Sequence, residues 1–249
     1  MAPSAAAALT PAQRQLLLAQ PWLRTAQPAL QHFLLEQGRR QYLAAGEALF
    51  QRGGAAHGLG CVLAGALHVG AWQADGRQSL LAYLEPGQWF GEISLIDDRP
   101  RTHDVVADGA SEVWLVPQPL LRDWLERHPQ GWRDIARLAC AKLRICFEAL
   151  EDNALLPLPR RLAKRLLQVA QGYEPGAPDE VLPRQRLRLP QEQLALMLGV
   201  SRPTINKALR ALAEQGLIAL GYAEIELRDA EGLRRLALDD GAPGAEGWA

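Results

Sequence analysis

The stretch Leu189-Pro-Gln-Glu-Gln-Leu-Ala-Leu-Met-Leu-Gly-Val-Ser-Arg-Pro-Thr-Ile-Asn-Lys-Ala-Leu-Arg-Ala-Leu212 decides how this chain is read. Between Gln191 and Leu198 the apolar residues Leu194, Ala195 and Leu198 recur at helical spacing and share one face. Gly199 then stops the helix, because a residue without a Cβ adopts the left-handed conformation that helix ends favour. Ser201 suits the N-cap of a second helix, with Pro203 in its first turn, where a missing N–H leaves no bond unmade. Ile205, Leu209 and Leu212 form the buried stripe of that second helix. Arg202, Thr204, Asn206, Lys207 and Arg210 are left facing outward. A short row of cationic and hydrogen-bonding side chains at a helix start is what reading base edges and phosphates requires. An ordinary helical hairpin with a solvated face has the same periodicity. The glycine stop, the serine cap and the short turn favour a helix-turn-helix.

The charge distribution agrees with this. The 249-residue chain has a net charge of −1, but residues 155–228 hold eleven Lys/Arg against seven Asp/Glu. The preceding 154 residues hold fourteen bases and sixteen acids, and the last twenty-one are net acidic. A basic module on a neutral-to-acidic body fits a DNA-binding unit joined to another domain, since phosphate neutralisation supplies most non-specific affinity. Three cysteines, Cys61, Cys140 and Cys146, show no paired metal spacing, and no export signal stands at Met1 to Leu9. Both features point to a reducing cytoplasm. No apolar run approaches bilayer-spanning length, so no membrane partner is expected.

Between Arg39 and Val116 the texture is short, partly alternating apolar runs separated by Gly46, Gly53-Gly54, Gly65, Asp75-Gly76 and Pro86-Gly87. Short strands with regular turn punctuation argue for an antiparallel sandwich or barrel, and Asp75-Gly76 is a hairpin signal. Pro11 to Leu18 and Pro28 to Gln37 suggest short helices behind a frayed N-terminus. From Pro119 the period becomes helical. Trp132, Ala136, Ala139, Leu143, Cys146, Leu150 and Asn153 step by threes and fours, the pattern of a coiled-coil seam. Ala136, Ala139, Leu143, Cys146 and Leu150 would then press against a second copy, while Ile135, Leu138 and Ile145 pack inward. A helix lying only on its own domain would show the same stripe. Pro157 and Pro159 end this helix and make a hinge. A helix from Arg160 to Gln171, a Pro/Gly-rich loop over 172–183, a short strand over 185–189 and a two-stranded wing turning near Gly221-Tyr222 follow. The last residues, from Gly241, read as an irregular tail.

A strand domain, a seam helix and a winged helix-turn-helix together resemble the cyclic-AMP receptor protein and fumarate-nitrate regulator (Crp/Fnr) family of bacterial transcription factors. Two motifs over roughly residues 30–230 carry the resemblance: the helix-turn-helix stretch and Phe90-Gly-Glu-Ile-Ser-Leu-Ile-Asp-Asp-Arg-Pro-Arg-Thr-His-Asp-Val-Val-Ala107, which looks like that family's phosphate-binding cassette. The resemblance implies an α+β chain: an N-terminal antiparallel β jelly-roll of the cyclic-nucleotide-binding type, a long dimerisation helix and a C-terminal winged helix-turn-helix. The segments expected are a leader (1–28), an effector domain (29–127), the dimerisation helix (128–156), the DNA-binding domain (157–230) and a tail (231–249). It implies an effector site at Gly91, Glu92, Ile93, Ser94, Arg101 and Thr102, with Glu92 accepting from ribose hydroxyls and Arg101 forking onto a cyclic phosphate. The amides at the start of a short helix over Ile93–Ile96 would face the same anion.

The implied ligand is cyclic AMP, another cyclic nucleotide or a cyclic dinucleotide, and a member of the family without any effector fits equally. Cys146-Phe147 stand where cyclic-AMP sensors carry a hydroxyl pair, and His103 follows Thr102, where a small residue is usual. His103 reads as a surface histidine paired with Asp104. For DNA the resemblance implies reading by Ser201, Arg202, Pro203, Thr204, Asn206, Lys207 and Arg210. Arg202 would fork onto guanine, and Pro203 replaces a glutamate that accepts from cytosine in cyclic-AMP-sensing members. Partners implied are double-stranded DNA, a second copy of the chain and RNA polymerase. An enzyme built on Glu92, Asp97, Asp98 and His103 is the reading from another class. A solvated turn explains Asp97-Asp98 more simply, and no nucleophile elbow, P-loop or His-Glu-x-x-His pattern is present. A third reading is a ligand-binding module whose helix-turn-helix makes only protein contacts.

Overall fold

The computed structural model describes residues 8–72, 78–171, 185–221 and 224–238. Three short helices open the chain: α1 (Pro11–Leu18), α2 (Pro21–Thr25) and α3 (Pro28–Glu36). Each starts with a proline in its first turn, and Thr10 caps α1 through a capping box with Gln13. Eight strands follow: β1 (Arg39–Leu43), β2 (Ala48–Phe50), β3 (Gly58–Ala64), β4 (Leu67–Trp72), β5 (Gln78–Leu84), β6 (Trp89–Phe90), β7 (Asp104–Ala107) and β8 (Ser111–Pro117). Between β6 and β7 lies α4 (Glu92–Asp97). The strands form two four-stranded antiparallel sheets, ordered β1-β8-β3-β6 and β2-β7-β4-β5. Apart from the β4–β5 hairpin, which stays within one sheet, consecutive strands alternate between the two sheets, as in a jelly roll. The hairpin expected at Asp75-Gly76 lies between paired β4 and β5, but the turn itself is outside the described residues.

The opening helices are not a separate leader. Leu17, Leu23, Leu30 and Leu34 are fully buried, in one cluster with Leu59, Trp89, Leu95, Trp114, Leu121 and Leu125. The Trp22 indole N–H donates to the Asp134 carbonyl (2.7 Å) and the Trp114 indole to the Leu34 carbonyl (2.8 Å). The expectation of a leader over 1–28 is corrected for the described residues 8–28. Leu17 and Trp22-Leu23 supply apolar surface that the strand domain buries.

A second polar anchor sits within the β4–β5–β7 sheet. The Tyr83 hydroxyl donates to Asp108 Oδ2 (2.6 Å), and His68 Nε2 lies 3.0 Å from Asp108 Oδ1. His68 lowers the Asp108 carboxyl below its ordinary value. Burial works against this and the Tyr83 hydroxyl adds to it. Burial, then Asp108, pushes the Tyr83 phenol far up.

Helices α5 (Gln118–Arg127) and α6 (Gly131–Leu155) follow, with Pro129 in the break between them. The chain divides into two compact units inside α6, between Phe147 and Glu148. The second unit holds α7 (Leu158–Gln171), β9 (Arg186–Leu187), α8 (Gln191–Leu198), α9 (Arg202–Glu214), β10 (Ile218–Leu220), β11 (Ile225–Leu227) and α10 (Ala230–Leu238). Its sheet is antiparallel in the order β10-β11-β9, so the wing expected as two-stranded has β9 as a third strand, and Tyr222, expected at its turn, lies outside the described residues. Helix α6 ends at Leu155, just before Pro157, as expected. The loop expected over 172–183 also lies outside the described residues.

The tail expectation is corrected too. Residues 230–238 form α10, whose Leu233 and Ala237 are buried in the second unit, and Arg160 donates to the Ala237 carbonyl (3.3 Å). The apolar residues Leu233 and Ala237, four apart, supply the stripe that docks this helix. Residues from 241 onward lie outside the described set.

Two expected outcomes test these anchors. Leu233→Ala should destabilise the second unit by about 2–5 kcal/mol, the usual cost of emptying a buried leucine site, read by urea unfolding followed by far-ultraviolet circular dichroism. A wild-type midpoint would show that α10 is dispensable. The Asp108 carboxyl is depressed on folding, so its contribution is complete above its unfolded value and lost as pH falls through the lower folded one. Asp108→Asn should therefore flatten the acid limb of a stability-against-pH profile below the ordinary 3.8 of an aspartate. An unchanged acid limb would remove Asp108 from that linkage.

Candidate nucleic-acid interface and effector cleft

Helix α8 ends where the sequence placed its stop. Gly199 takes φ +64°, and the Val200 N–H donates to the Ala195 carbonyl (3.0 Å), closing the helix end. The chain turns over Gly199, Val200 and Ser201, and α9 begins. Ser201 caps it, its Oγ accepting from the Thr204 N–H (3.3 Å) and lying 2.8 Å from Thr204 Oγ1. Ile205, Leu209 and Leu212 are fully buried, α9 packs against α8, and Leu194 and Leu198 of α8 are buried as well. Arg202, Pro203, Thr204, Lys207 and Arg210 are exposed, and Asn206 is half-buried with its Oδ1 withdrawn and unpartnered. An open concavity runs along this face, lined by Pro203, Asn206, Lys207, Arg210, Ala211 and Glu214. Of the residues expected to read DNA, Pro203, Asn206, Lys207 and Arg210 line this concavity, Arg202 and Thr204 are exposed in the first turn of α9, and Ser201 is its exposed N-cap.

The cassette brings Gly91, Glu92 and Arg101 together. Gly91 takes φ +98°, and a Cβ there would stand 2.7 Å from the Gly58 carbonyl oxygen and 2.8 Å from Arg101 Nη1. Only glycine fits beside this guanidinium. Arg101 is only 5% exposed. It donates from Nη2 to the Gly58 carbonyl (2.7 Å) and from Nη1 to the Gly91 carbonyl (3.1 Å), and stacks 3.7 Å over the Phe50 ring. Its Nε is buried without a partner. Burial pushes its pKa down to about 10, with nearby Glu92 opposing, so it stays charged near neutrality.

Glu92, also buried, is not paired with Arg101 in a bracing contact. It accepts from Lys142 Nζ at 2.7 Å, and the same ammonium donates to the Trp89 carbonyl at 2.7 Å. Sequence reasoning missed Lys142. Its signal was there: Ile135, Leu138, Lys142 and Ile145 share the inward stripe of α6, and a charge on such a stripe needs a partner.

The other cassette residues divide. Ser94 is buried and its carbonyl accepts from Gln118 (3.3 Å), while Ile93 is 44% exposed and faces away from the core. The expected helix over 93–96 is α4. Thr102 is exposed, and its hydroxyl lies 2.9 Å from His103 Nδ1. His103 thus meets Thr102 rather than Asp104, whose Oδ1 accepts from the Arg52 N–H (2.8 Å). Burial and then Arg52 lower the His103 pKa, with Asp104 opposing. Asp97 closes a turn with the Arg99 N–H (3.0 Å) and Asp98 pairs with Arg122, as a solvated turn would.

On α6 the expected seam faces outward. Ala136, Leu143, Cys146 and Leu150 are exposed and Ala139 is half-buried, whereas Ile135 and Leu138 are fully buried and Ile145 partly so. Cys146 is exposed within the chain, on the outward face with Leu143 and Leu150.

Comparison with known proteins agrees with this architecture. Residues 40–128 match the family model of the cyclic nucleotide-binding domain, and residues 160–236 match the Crp-like helix-turn-helix domain. The chain is 32% identical over 192 residues to a CRP-like cAMP-activated global transcriptional regulator of Mycobacterium tuberculosis (strain CDC 1551 / Oshkosh), covering 77% of this chain and 85% of the relative. It is 28% identical over 200 residues to the cyclic AMP receptor protein of Thermus thermophilus, covering 80% and 88%. Among solved structures, FixK2 from Bradyrhizobium japonicum superposes with a TM-score of 0.70 at 21% identity, covering 83% of this chain and 99% of that one, which shows a shared fold. The chain belongs to the Crp/Fnr family of transcriptional regulators, with a cyclic-nucleotide-binding-type domain followed by a helix-turn-helix DNA-binding domain.

Proposed function

We propose that the chain works in the cytoplasm as a homodimer. Its two α9 helices enter successive major grooves of a near-palindromic duplex, with half-sites about one helical turn apart. The observation that carries this is the outward strip Arg202, Pro203, Thr204, Asn206, Lys207 and Arg210 on a helix whose opposite face is fully buried. Arg202 forks onto a guanine, Lys207 and Arg210 contact guanine or phosphate, and Ser201 holds the helix start at the backbone. Dimerisation along α6 follows from the exposed Leu143 (50%) and Leu150 (65%), which solvent would otherwise hold. RNA polymerase is the partner through which the bound dimer acts on transcription.

The effector in this reading is a cyclic nucleotide. The relatives' cAMP dependence supports the class, and the cleft offers matching groups: a buried guanidinium with an Nε–H left over, and a buried carboxylate beside it. A cyclic phosphate takes its place against Arg101 and Thr102, and ribose hydroxyls share Glu92 with Lys142. Binding biases α6, and through the proline hinge at 157–159 the spacing of the reading helices. One observation favours a second reading, a regulator that needs no nucleotide. Arg101 already has two carbonyl partners and a ring, and Glu92 already has a cation.

Arg202→Ala should cost about 1–3 kcal/mol per half-site, abolishing the gel shift of a duplex selected from a random library while the dimer persists by sedimentation. Undiminished affinity would exclude this side chain from readout. A thermal-shift screen against cyclic nucleotides and dinucleotides separates the two effector readings. One ligand should raise Tm by several degrees and Arg101→Ala should erase the rise, whereas no shift with any of them selects the nucleotide-free reading.

A further inference from the structure

We infer that His103 is a positioning residue for the effector's phosphate. As an imidazolium it holds Thr102 by the hydroxyl oxygen and leaves the hydroxyl hydrogen to the anion, so that binding takes up a proton. This rests on the cyclic-nucleotide reading proposed above and adds to it one residue and a pH dependence.

In that reading the Thr102 hydroxyl stands against the phosphate beside the Arg101 guanidinium. The hydroxyl carries one hydrogen, and an ionised phosphate oxygen can only accept. Whether that hydrogen is available depends on His103, whose Nδ1 lies 2.9 Å from Thr102 Oγ1. In a neutral imidazole one ring nitrogen donates and the other accepts. Where Nδ1 is the acceptor, the hydroxyl hydrogen is spent on the ring and the anion meets only lone pairs. An imidazolium has a hydrogen on both nitrogens and can only donate. Its Nδ1–H then bonds the Thr102 oxygen, and the hydroxyl hydrogen of this exposed side chain is left for an incoming acceptor.

The groups around His103 prepare it to change form. The ring is half-buried, with Arg52 acting on it from the segment between β2 and β3 and Asp104 from the start of β7. The Arg52 N–H donates to Asp104 Oδ1 (2.8 Å), which ties these two segments together. Burial first and Arg52 second hold His103 below the ordinary histidine value, and the weaker opposing pull of Asp104 does not offset them. The ring is therefore neutral near pH 7 in the free protein. An arriving phosphate places a negative charge beside it, which favours the imidazolium and raises its pKa. Affinity then rises as pH falls through the raised value of the complex. It levels off below the lowered value of the free protein, where the ring is already charged. Arg101, with its pKa at about 10, stays charged throughout and contributes no pH dependence of its own.

The test titrates the full-length protein calorimetrically between pH 5.5 and pH 8, with cyclic AMP, cyclic GMP and cyclic di-GMP as probes. Their phosphodiesters stay ionised over this range, so a pH effect belongs to the protein. The probe that binds should do so about tenfold more tightly at the acid end, the worth of one unit of pKa rise. In the middle of the range it should bring part of a proton with it, read by repeating the titration in buffers of different ionisation enthalpy. His103→Ala should remove both effects, with its melting temperature and dimer state as folding controls. Arg52→Ala, on an exposed side chain, should move the rise to higher pH, because a charge that keeps the ring neutral is gone. A pH profile shared by the wild type and His103→Ala overturns the inference while leaving the nucleotide site intact. So does wild-type binding without proton exchange, or an Arg52→Ala profile that does not move. Binding of none of the probes at any pH sinks the nucleotide reading, and this inference with it.

Discussion

Helix α6 is apolar on two faces, and among the described residues only one of them is buried. Ile135, Leu138 and Ala141 close the core of the strand domain, where Leu59, Trp89, Trp114 and Leu125 also lie. The other face leaves Leu143, Phe147, Leu150 and Leu155 between 50% and 77% exposed. That imbalance is the physical reason a second copy is required in the proposed assembly. Two reading helices can be held at a fixed separation only if something rigid joins them, and a helix of 25 residues is a suitable strut.

The same helix carries the charge that meets the cassette. Glu92 and Arg101 are both nearly excluded from solvent, and neither could stay charged there without partners. The protein solves this without pairing the two. Arg101 is satisfied by the carbonyls of Gly58 and Gly91 and the face of Phe50, and Glu92 by Lys142 reaching over from α6. The network around Arg101 and Glu92 is closed except at the Arg101 Nε–H. Because Lys142 also holds the Trp89 carbonyl, any rearrangement around Glu92 reaches α6 directly. Side-chain chemistry thus couples the cassette to the strut within the first unit.

Much of this was legible in residue order. The helix-turn-helix followed from Gly199, Ser201 and one 3.6-residue stripe per helix, because caps and stripes are local properties. The seam helix and its proline stop were legible for the same reason, as were most of the eight strands. Less local features were missed. The two-residue β6 has too little sequence to show a period, and its pairing with β3 depends on chain returning from elsewhere. The opening helices and α10 looked like ends of the chain, yet they bury leucines whose contacts lie far off in sequence. His103 was assigned to its charged neighbour Asp104, whereas the fold turns it to the adjacent hydroxyl of Thr102.

What the sequence alone determined is the set of elements and the surface each must hide, since periodicity, glycine turns and caps act over a few residues. It also determined which face of α9 would look outward. Only the tertiary structure decided which buried charge meets which partner, and which hydroxyls and amides are spent inside the protein before any ligand arrives. Those outcomes depend on desolvation and on hydrogen bonds a few ångströms long between segments dozens of residues apart, and no local pattern encodes such distances.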